Sequence, residues 1–180
     1  FLARDLTDRK RLETRLAWRL YYDDLTGLPN RTSLFDALGN LLRDKHKDKA
    51  EPDSPVTSHA VLAVINMDHF KSINAEVTNT GGDILLAVIA ERIKNALEER
   101  GALFRTSGDE FSILFTKDED GKMISQEELI ALLGKIRDDI SLPCQMGERM
   151  VHPSASMGVL FDALSYENSS LIIEKATTAL

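Results

Sequence analysis

Two short segments place acidic or amide side chains where the surrounding sequence is strongly apolar. Asn66 and Asp68 end an apolar run, and Asp109 and Glu110 lie between two further apolar runs. Side chains alternate along a strand, so Asn66 and Asp68 share a face. Such oxygen groups, completed by phosphate oxygens, are the ligands that Mg²⁺ prefers, and two ions can activate a hydroxyl and stabilise leaving pyrophosphate. The pattern therefore points to a magnesium–triphosphate site.

Each segment also has a simpler interpretation. Residues 107–109 read Ser-Gly-Asp, which is ordinary turn chemistry, so Asp109 can serve the turn alone. Residues 81–83 read Gly-Gly-Asp before an amphipathic stretch, and we expect Asp83 to cap a helix there. The backbone N–H groups and the dipole of that helix start would favour an anion. Spacing and composition alone leave these interpretations open.

The elements that must position these groups alternate between helices and strands. The periodicity predicts a charged helix at 5–22, a helix capped by Asn30, a loop at 45–58, a buried strand at 60–67, an irregular segment at 70–83, a helix from 83, strands at 102–106 and 110–116, a loop at 117–122, a helix from Ser125 to 140, a hairpin within 143–162 and a last helix from 169 or 170. This order predicts an α+β fold with a central, mostly antiparallel sheet flanked by helices.

Composition excludes several classes of protein. The net charge of −7 argues against a nucleic-acid binder, whose usual surface is basic. Cys144 is the single cysteine, so a disulfide framework and a thiolate metal cluster are excluded, and a cytoplasmic location is expected. No apolar run is long enough to span a bilayer, so no membrane contact is expected. The chain begins with Phe1, which suggests a piece of a longer protein.

Several motifs, in one order, resemble the GGDEF family of diguanylate cyclases from about residue 22 to 180. They are DLTGLPNR at 24–31, DHFKSIN at 68–74, Gly-Asp at 82–83, RTSGDEF at 105–111 and SMGV at 156–159. The preceding residues 4–10 resemble the end of a PAS sensor and its signalling helix. The resemblance implies a linker or signalling helix at 1–22 and a GGDEF domain at 23–180.

The resemblance also implies an activity and partners. Family members have a palm-like fold related to nucleotide cyclases, and two GTP-loaded subunits face each other to form cyclic di-GMP and pyrophosphate. The expected metal is Mg²⁺ or Mn²⁺. Residues 5–22 carry a narrow leucine stripe suited to a coiled coil, so we expect a homodimer through this helix. A fused sensor domain, and in some relatives a phosphodiesterase domain, are the other expected partners.

The resemblance assigns roles residue by residue to the matching positions. Asn74 and Asp83 would hydrogen-bond the guanine. Phe70 with the backbone around it, Lys71 and Gly108 would contact the nucleotide and its phosphates. The metal would be held by the following residues: Asp109, Asn66 and the backbone of Met67. Asp109 and Glu110 would be the catalytic pair.

The chain departs from the family pattern at several positions. The family's first metal-binding carboxylate falls on Asn66, whose amide oxygen can coordinate Mg²⁺ but carries no charge. Ser107 stands where the signature begins with Gly, and Thr78 replaces a common glycine. Glu98 and Gly101 occupy the places of an inhibitory Arg-x-x-Asp motif, and the chain ends before the usual phosphate-binding Lys and Arg. Two functions follow: a cyclase with reduced turnover, or a degenerate GTP-sensing module that regulates a neighbouring domain.

Overall fold

The computed structural model describes residues 18–48, 59–117 and 120–180. Within these ranges, and after helical residues 18–21, the elements run as follows: α1 (Arg31–Asp48), β1 (Val61–Met67), α2 (Phe70–Leu97), β2 (Ala102–Ser107), β3 (Glu110–Phe115), α3 (Gln126–Ile140), β4 (Cys144–Met146), β5 (Arg149–Val151), β6 (Ala155–Leu160), a 3₁₀ turn (Ala163–Ser165) and α4 (Ser169–Thr178). Most of the helix predicted at 5–22 and of the loop predicted at 45–58 lies outside the described residues. Residues 45–48 continue α1, since nothing in that stretch breaks a helix.

The four-stranded sheet has the order β2-β3-β1-β6, and all its neighbouring strands are antiparallel. This confirms the predicted α+β class and its antiparallel sheet. The hairpin predicted within 143–162 is formed by β4 and β5, which turn at Gly147 with a positive φ of 62°. The following strand, β6, belongs to the main sheet instead, because it pairs with β1.

Strand β1 is buried on both faces, which explains its continuous apolar sequence. Its odd-numbered residues, such as Ile65, belong to the core cluster formed with α2 and α3. Its even-numbered residues Leu62 and Val64 belong to a second cluster with α1 and α4. Asn66 continues the even-numbered face at the end of the strand and is only half-buried. The polar groups therefore begin where the helical cover of that face ends.

The structure corrects the prediction for residues 70–83. Helical backbone runs from Phe70 through both glycines to Leu97, so Asp83 does not cap a helix and residues 81–83 are not a helix start. The run is not straight, however. A Cβ atom added to Gly82 would lie 1.9 Å from Asn74 Oδ1 and 3.3 Å from Phe70 Cζ. Residues twelve apart in a straight helix are separated by about 18 Å, so α2 folds back on itself before Gly82.

A predicted cap at Asn30 and a predicted helix start at Ser125 are confirmed, and they fix the helices around the sheet. Asn30 Oδ1 accepts hydrogen bonds from the backbone N–H of Thr32 at 2.9 Å and of Ser33 at 3.2 Å. Asn30 Nδ2 donates to Leu20 O at 3.0 Å, so one side chain joins the end of the preceding helical stretch to α1. Ser125 forms a capping box at the start of α3. In the part of the chain that the structure describes, no helix is long and apolar enough to cross a membrane.

Candidate functional site

The predicted metal and catalytic residues meet where the end of β1 lies beside the start of β3. Asn66 lies directly opposite Glu110 in the antiparallel register. The Met67 backbone N–H donates to the carbonyl of Asp109 at 3.1 Å, which ties the end of β1 to the turn between β2 and β3. We call residues 107–110 the signature turn. Two pairs of neighbouring residues, which lie far apart in the sequence, thus form one edge of the sheet.

The carboxylate of Glu110 is held by a buried neighbour that the sequence reasoning did not identify. Thr106 Oγ1 donates a hydrogen bond to Glu110 Oε1 at 2.7 Å. Thr106 is 6% exposed, and its Oγ1 also lies 3.4 Å from Ser112 Oγ. The contacts with Glu110 and Ser112 therefore restrict its rotamer. The sequence signal that could have identified Thr106 is its position as a polar residue near the end of an edge strand, close to an acidic residue. The contact gives Glu110 one defined orientation.

Asp68 shares the face of Asn66, as predicted, but it turns towards the other neighbouring strand. Ser154 Oγ donates to Asp68 Oδ2 and Ser156 Oγ donates to Asp68 Oδ1, both at 2.8 Å. Ser156 is the β6 residue opposite Asn66, whereas Glu110 is opposite Asn66 on the β3 side. Both carboxylate oxygens of Asp68 are therefore engaged at the β6 side of β1, away from the signature turn.

Arg105 connects the signature turn to the segment that enters the domain. Its Nη2 donates to Gly108 O at 2.7 Å, and its Nη1 donates to Asp23 Oδ1 at 2.7 Å. Burial opposes ionisation of Asp23, but hydrogen bonds from Thr26 and Arg105 outweigh it, so the pKa of this carboxyl lies below its usual value. The Arg105 side chain is 11% exposed, so this ion pair is largely screened from solvent.

The altered signature residue fits its backbone. Among the described residues, the positive-φ positions are His69, Glu98 and three glycines outside the signature turn. Ser107 is therefore in an ordinary conformation, which a residue with a Cβ adopts without strain. A Cβ on Gly108 would meet nothing within 4 Å, so the space above the turn is open.

Of the residues assigned to the nucleotide, Phe70, Lys71, Asn74 and Asp83 lie on α2. Gly108 lies in the signature turn. The contact between Asn74 and Gly82 brings Asn74 close in space to the Gly-Asp pair that contains Asp83. Phe70 packs partly against the core, and Lys71 is exposed in the first turn of the helix. His69 precedes the helix in the left-handed region, with φ 54° and ψ 22°. This conformation was not predicted, although histidine is one of the residues with a side chain that are enriched there, together with asparagine and aspartate.

A polar cleft opens beside Glu110 on the α4 side. Its volume is about 480 Å³, which is within the usual range for small-molecule sites. The residues that line it are mainly polar: Arg31, Ser107, Glu110, Ser170, Ile173, Glu174, Thr177 and Thr178. The cleft adjoins the edge that carries Asn66 and the signature turn, so a ligand at that edge has room to extend towards α4.

The donor set at this edge fits a magnesium ion that phosphate completes. Among the described residues, no group of three or more His, Cys, Asp or Glu side chains could hold a metal by itself. What the edge offers is the Asp109 carboxylate, the Asn66 amide oxygen and the Met67 carbonyl oxygen. Mg²⁺ is usually held by one or two carboxylates together with substrate phosphates and water. A complete protein cage is not required.

Comparison with known proteins gives a consistent result. The family described as "Diguanylate cyclase, GGDEF domain" matches residues 20–180. The chain is 28% identical over 176 residues to the cyclic di-GMP phosphodiesterase PdeR of Escherichia coli, covering 98% of this chain and 24% of PdeR. It is 30% identical over 143 residues to the diguanylate cyclase DgcP of Escherichia coli, covering 78% of this chain and 37% of DgcP.

Solved structures share the fold. The coiled coil and GGDEF domain of DgcB from Caulobacter crescentus, in complex with c-di-GMP, superimposes with a TM-score of 0.74 at 21% identity, covering 99% of this chain and 89% of that one. The GGDEF domain of FimX from Pseudomonas aeruginosa gives a TM-score of 0.72 at 22% identity, covering 88% and 90%. The chain spans about a quarter or less of the length of PdeR, NbdA and YkoW, three of its curated relatives.

Proposed function

Because the chain belongs to the GGDEF family of diguanylate cyclases, we propose that it binds GTP with a divalent metal ion and that Asn66 weakens its cyclase activity. GGDEF domains of this kind are parts of cyclic-di-GMP signalling proteins. The observation that carries the proposal is the junction of β1 and β3, where Asn66 lies opposite Glu110 and Met67 is bonded to Asp109. This junction supports the proposed metal site, in which an amide stands in place of one carboxylate.

The metal would be Mg²⁺ or Mn²⁺, held by Asp109, by the Asn66 amide oxygen and by the Met67 carbonyl. Bound there, it would supply charge stabilisation to the triphosphate and activate the attacking hydroxyl. Asn66 keeps an oxygen ligand but lacks the negative charge. Two unit charges about 4 Å apart interact by roughly 4 kcal/mol at an effective dielectric constant of about 20. A third of that energy already corresponds to about a tenfold loss of affinity.

The nucleotide would be recognised along α2 and the turn before it. Asn74 and Asp83 would pair with the edge of the guanine, and an incorrect base would leave their polar groups unpaired, which is costly in a closed site. Phe70, Lys71 and Gly108 would contact the nucleotide and its phosphates. The ammonium group of Lys71 is exposed at the start of the helix, where an added anion is also favoured by the helix dipole.

In the reaction, Glu110 would support catalysis from the position that Thr106 fixes. Two GTP molecules on facing subunits would form the two phosphodiester bonds of cyclic di-GMP, and each bond would release one pyrophosphate. We infer that residues 1–22 form a signalling linker that pairs with the same segment of a second subunit, and that residues 23–180 form the GGDEF domain. A fused sensor domain would act through that linker on the distance between the two sites.

A second candidate function is a degenerate GTP-sensing module. Asn66 favours it, because the lost charge weakens turnover more directly than it weakens nucleotide binding. PdeR and NbdA, which this chain resembles over 98% and 88% of its length, are both named as cyclic di-GMP phosphodiesterases. In this case GTP bound to the domain would regulate a neighbouring phosphodiesterase or another output domain.

The test is to incubate the intact protein with GTP and Mg²⁺ and to measure binding by calorimetry and cyclic di-GMP by chromatography. Binding with product supports the cyclase, and binding without product supports the sensing module. Absence of heat with GTP in both Mg²⁺ and Mn²⁺ would refute the proposal. The variant Asn66→Asp restores the charge, and we expect turnover to rise roughly tenfold or more.

The matched control is Asn95→Asp, which adds the same charge at an exposed position near the opposite end of α2. It should leave turnover and GTP affinity unchanged. If Asn66→Asp and Asn95→Asp behave alike, the missing charge is not what limits activity. Replacing Mg²⁺ by Mn²⁺ should reduce the difference in turnover between the native protein and Asn66→Asp, because we expect Mn²⁺ to bind this set of oxygen ligands more tightly.

A further inference from the structure

Asp68 is the remaining carboxylate at the end of β1, and its contacts define its role. Both of its oxygens accept hydrogen bonds, one from Ser154 and one from Ser156, and its backbone N–H donates to Ser154 O at 2.9 Å. Three bonds thus attach one residue to the start of β6. Asp109, by contrast, is connected to the other side of β1 through Met67.

The turn that follows Asp68 has a backbone conformation that such an attachment would stabilise. His69 adopts a left-handed conformation, with φ 54°, which is unfavourable for a residue with a side chain. Backbone of this kind persists where surrounding contacts determine it fully. Asp68 immediately precedes this residue and Phe70 follows it as the first residue of α2, so the Asp68 contacts restrain the turn between β1 and α2.

We propose that Asp68, clamped by the Ser154 and Ser156 hydroxyls, is a positioning residue that aims the Met67 carbonyl at the metal ion and the β1–α2 turn at the phosphate, and does not replace the charge missing at Asn66. The inference rests on the proposed GTP-binding function for its ligand. It assigns Ser154 and Ser156 a shared role on the opposite side of β1 from the signature turn. The role depends on hydrogen bonds and not on the charge of Asp68.

Two variants separate the effect of the Asp68 charge from the effect of its hydrogen bonds. Asp68→Asn removes the charge but keeps two partners for the serines, because a serine hydroxyl both donates and accepts. The double variant Ser154→Ala/Ser156→Ala keeps the charge and removes both side-chain bonds. We expect Mg²⁺-dependent GTP affinity to fall roughly 10- to 100-fold in the double variant, the usual range when a residue that orients a metal ligand is lost. We expect Asp68→Asn to stay within a few-fold of the native protein.

A double variant Ser141→Ala/Ser165→Ala is the matched control. These exposed serines also lose one hydroxyl hydrogen bond each, to Arg137 O and to Asp162 O, but neither bond involves β1. GTP affinity should not change in this control. If Asp68→Asn loses as much affinity as Asp109→Asn, Asp68 acts through its charge and the proposal is wrong. If Ser154→Ala/Ser156→Ala binds GTP like the native protein, the clamp has no positioning role and the proposal is also wrong.

Hydrogen–deuterium exchange on the nucleotide-free protein gives a readout that does not need GTP. The backbone amides of Met67, Asp68 and the following two residues should exchange faster in Ser154→Ala/Ser156→Ala than in the native protein and in the serine control. Unchanged exchange there would overturn the inference. If the native protein fails to bind GTP, the proposed function falls, while the exchange measurement still decides whether the serines restrain the turn.

Discussion

Gly82→Ala tests whether the fold-back of α2 creates the proposed guanine site. An added Cβ would lie 1.9 Å from Asn74 Oδ1, 2.8 Å from Asn74 Cγ and 3.3 Å from Phe70 Cζ. The first two distances are far below van der Waals contact, so something must move. The atoms in the way belong to the end of the Asn74 side chain and not to backbone. We therefore expect Asn74 to rotate away from Gly82.

Gly82→Ala is expected to have a small effect on the free energy of unfolding and a larger effect on GTP affinity. Replacing a helical glycine by alanine stabilises a helix by about 1 kcal/mol, and overpacking costs about 1–3 kcal/mol when it cannot relax. Because rotation of Asn74 relieves most of the overlap, the free energy of unfolding should change by about 1 kcal/mol or less. A displaced Asn74 would lose the hydrogen bond to the base that we propose for it. Such a loss costs about 1–3 kcal/mol, or roughly 5- to 150-fold in GTP affinity.

Gly134→Ala is the matched control, because Gly134 lies within α3 and a Cβ there would meet nothing within 4 Å. It should raise the free energy of unfolding by about 0.5–1 kcal/mol and leave GTP affinity unchanged. Urea unfolding and calorimetry on both variants provide the measurement. The reasoning fails if Gly82→Ala gains as much stability as Gly134→Ala and binds GTP like the native protein.

Two further variants test the framework around the site. Asp23→Asn should lower the free energy of unfolding by roughly 1 kcal/mol at pH 7, because a charged acceptor of the Arg105 and Thr26 hydrogen bonds becomes neutral. The pKa of Asp23 is depressed below its usual 3.8, so its contribution to the free energy of unfolding is present above that pH and is lost as the pH falls below it. A difference in free energy of unfolding between the native protein and Asp23→Asn that is the same at pH 7 and pH 3 would contradict this. Gly158→Ala should destabilise by about 1–3 kcal/mol in urea, since its Cβ would lie 2.7 Å from Leu180 N and 2.9 Å from Ala176 O, both backbone atoms that cannot rotate away. A Gly158→Ala protein as stable as the native one would show that α4 does not pack closely on β6.

Local patterns predicted the elements that local chemistry determines. Asn30 and Ser125 satisfy the first N–H groups of their helices with their own side chains, so a cap and an apolar period were enough to find α1 and α3. The strand at β1 was equally clear, because burial on both faces requires an unbroken apolar sequence. The α+β class followed from the order of these elements.

Long-range contacts decided what the sequence left open. The two glycines before Asp83 indicated a helix start, but Phe70 and Asn74 pack back on Gly82 and helical backbone continues through the bend. Similarly, Asp68 was expected on the face of Asn66 and lies there, yet its two serine partners are more than eighty residues away in sequence. No spacing rule connects such residues before the sheet order is known.

The neighbours of Asn66 explain why a family member could carry an amide at this position. Asn66 lies between Glu110 on β3 and Ser156 on β6. In the absence of metal, an aspartate there would face the Glu110 carboxylate directly, and like charges opposite each other in a sheet destabilise it by about 0.2–1 kcal/mol. Asn66→Asp should therefore unfold at a lower temperature than the native protein without metal, and gain more stability from Mg²⁺ and GTP than the native protein does. Equal gains for the two proteins, measured by thermal unfolding with and without ligand, would show that residue 66 does not contact the metal.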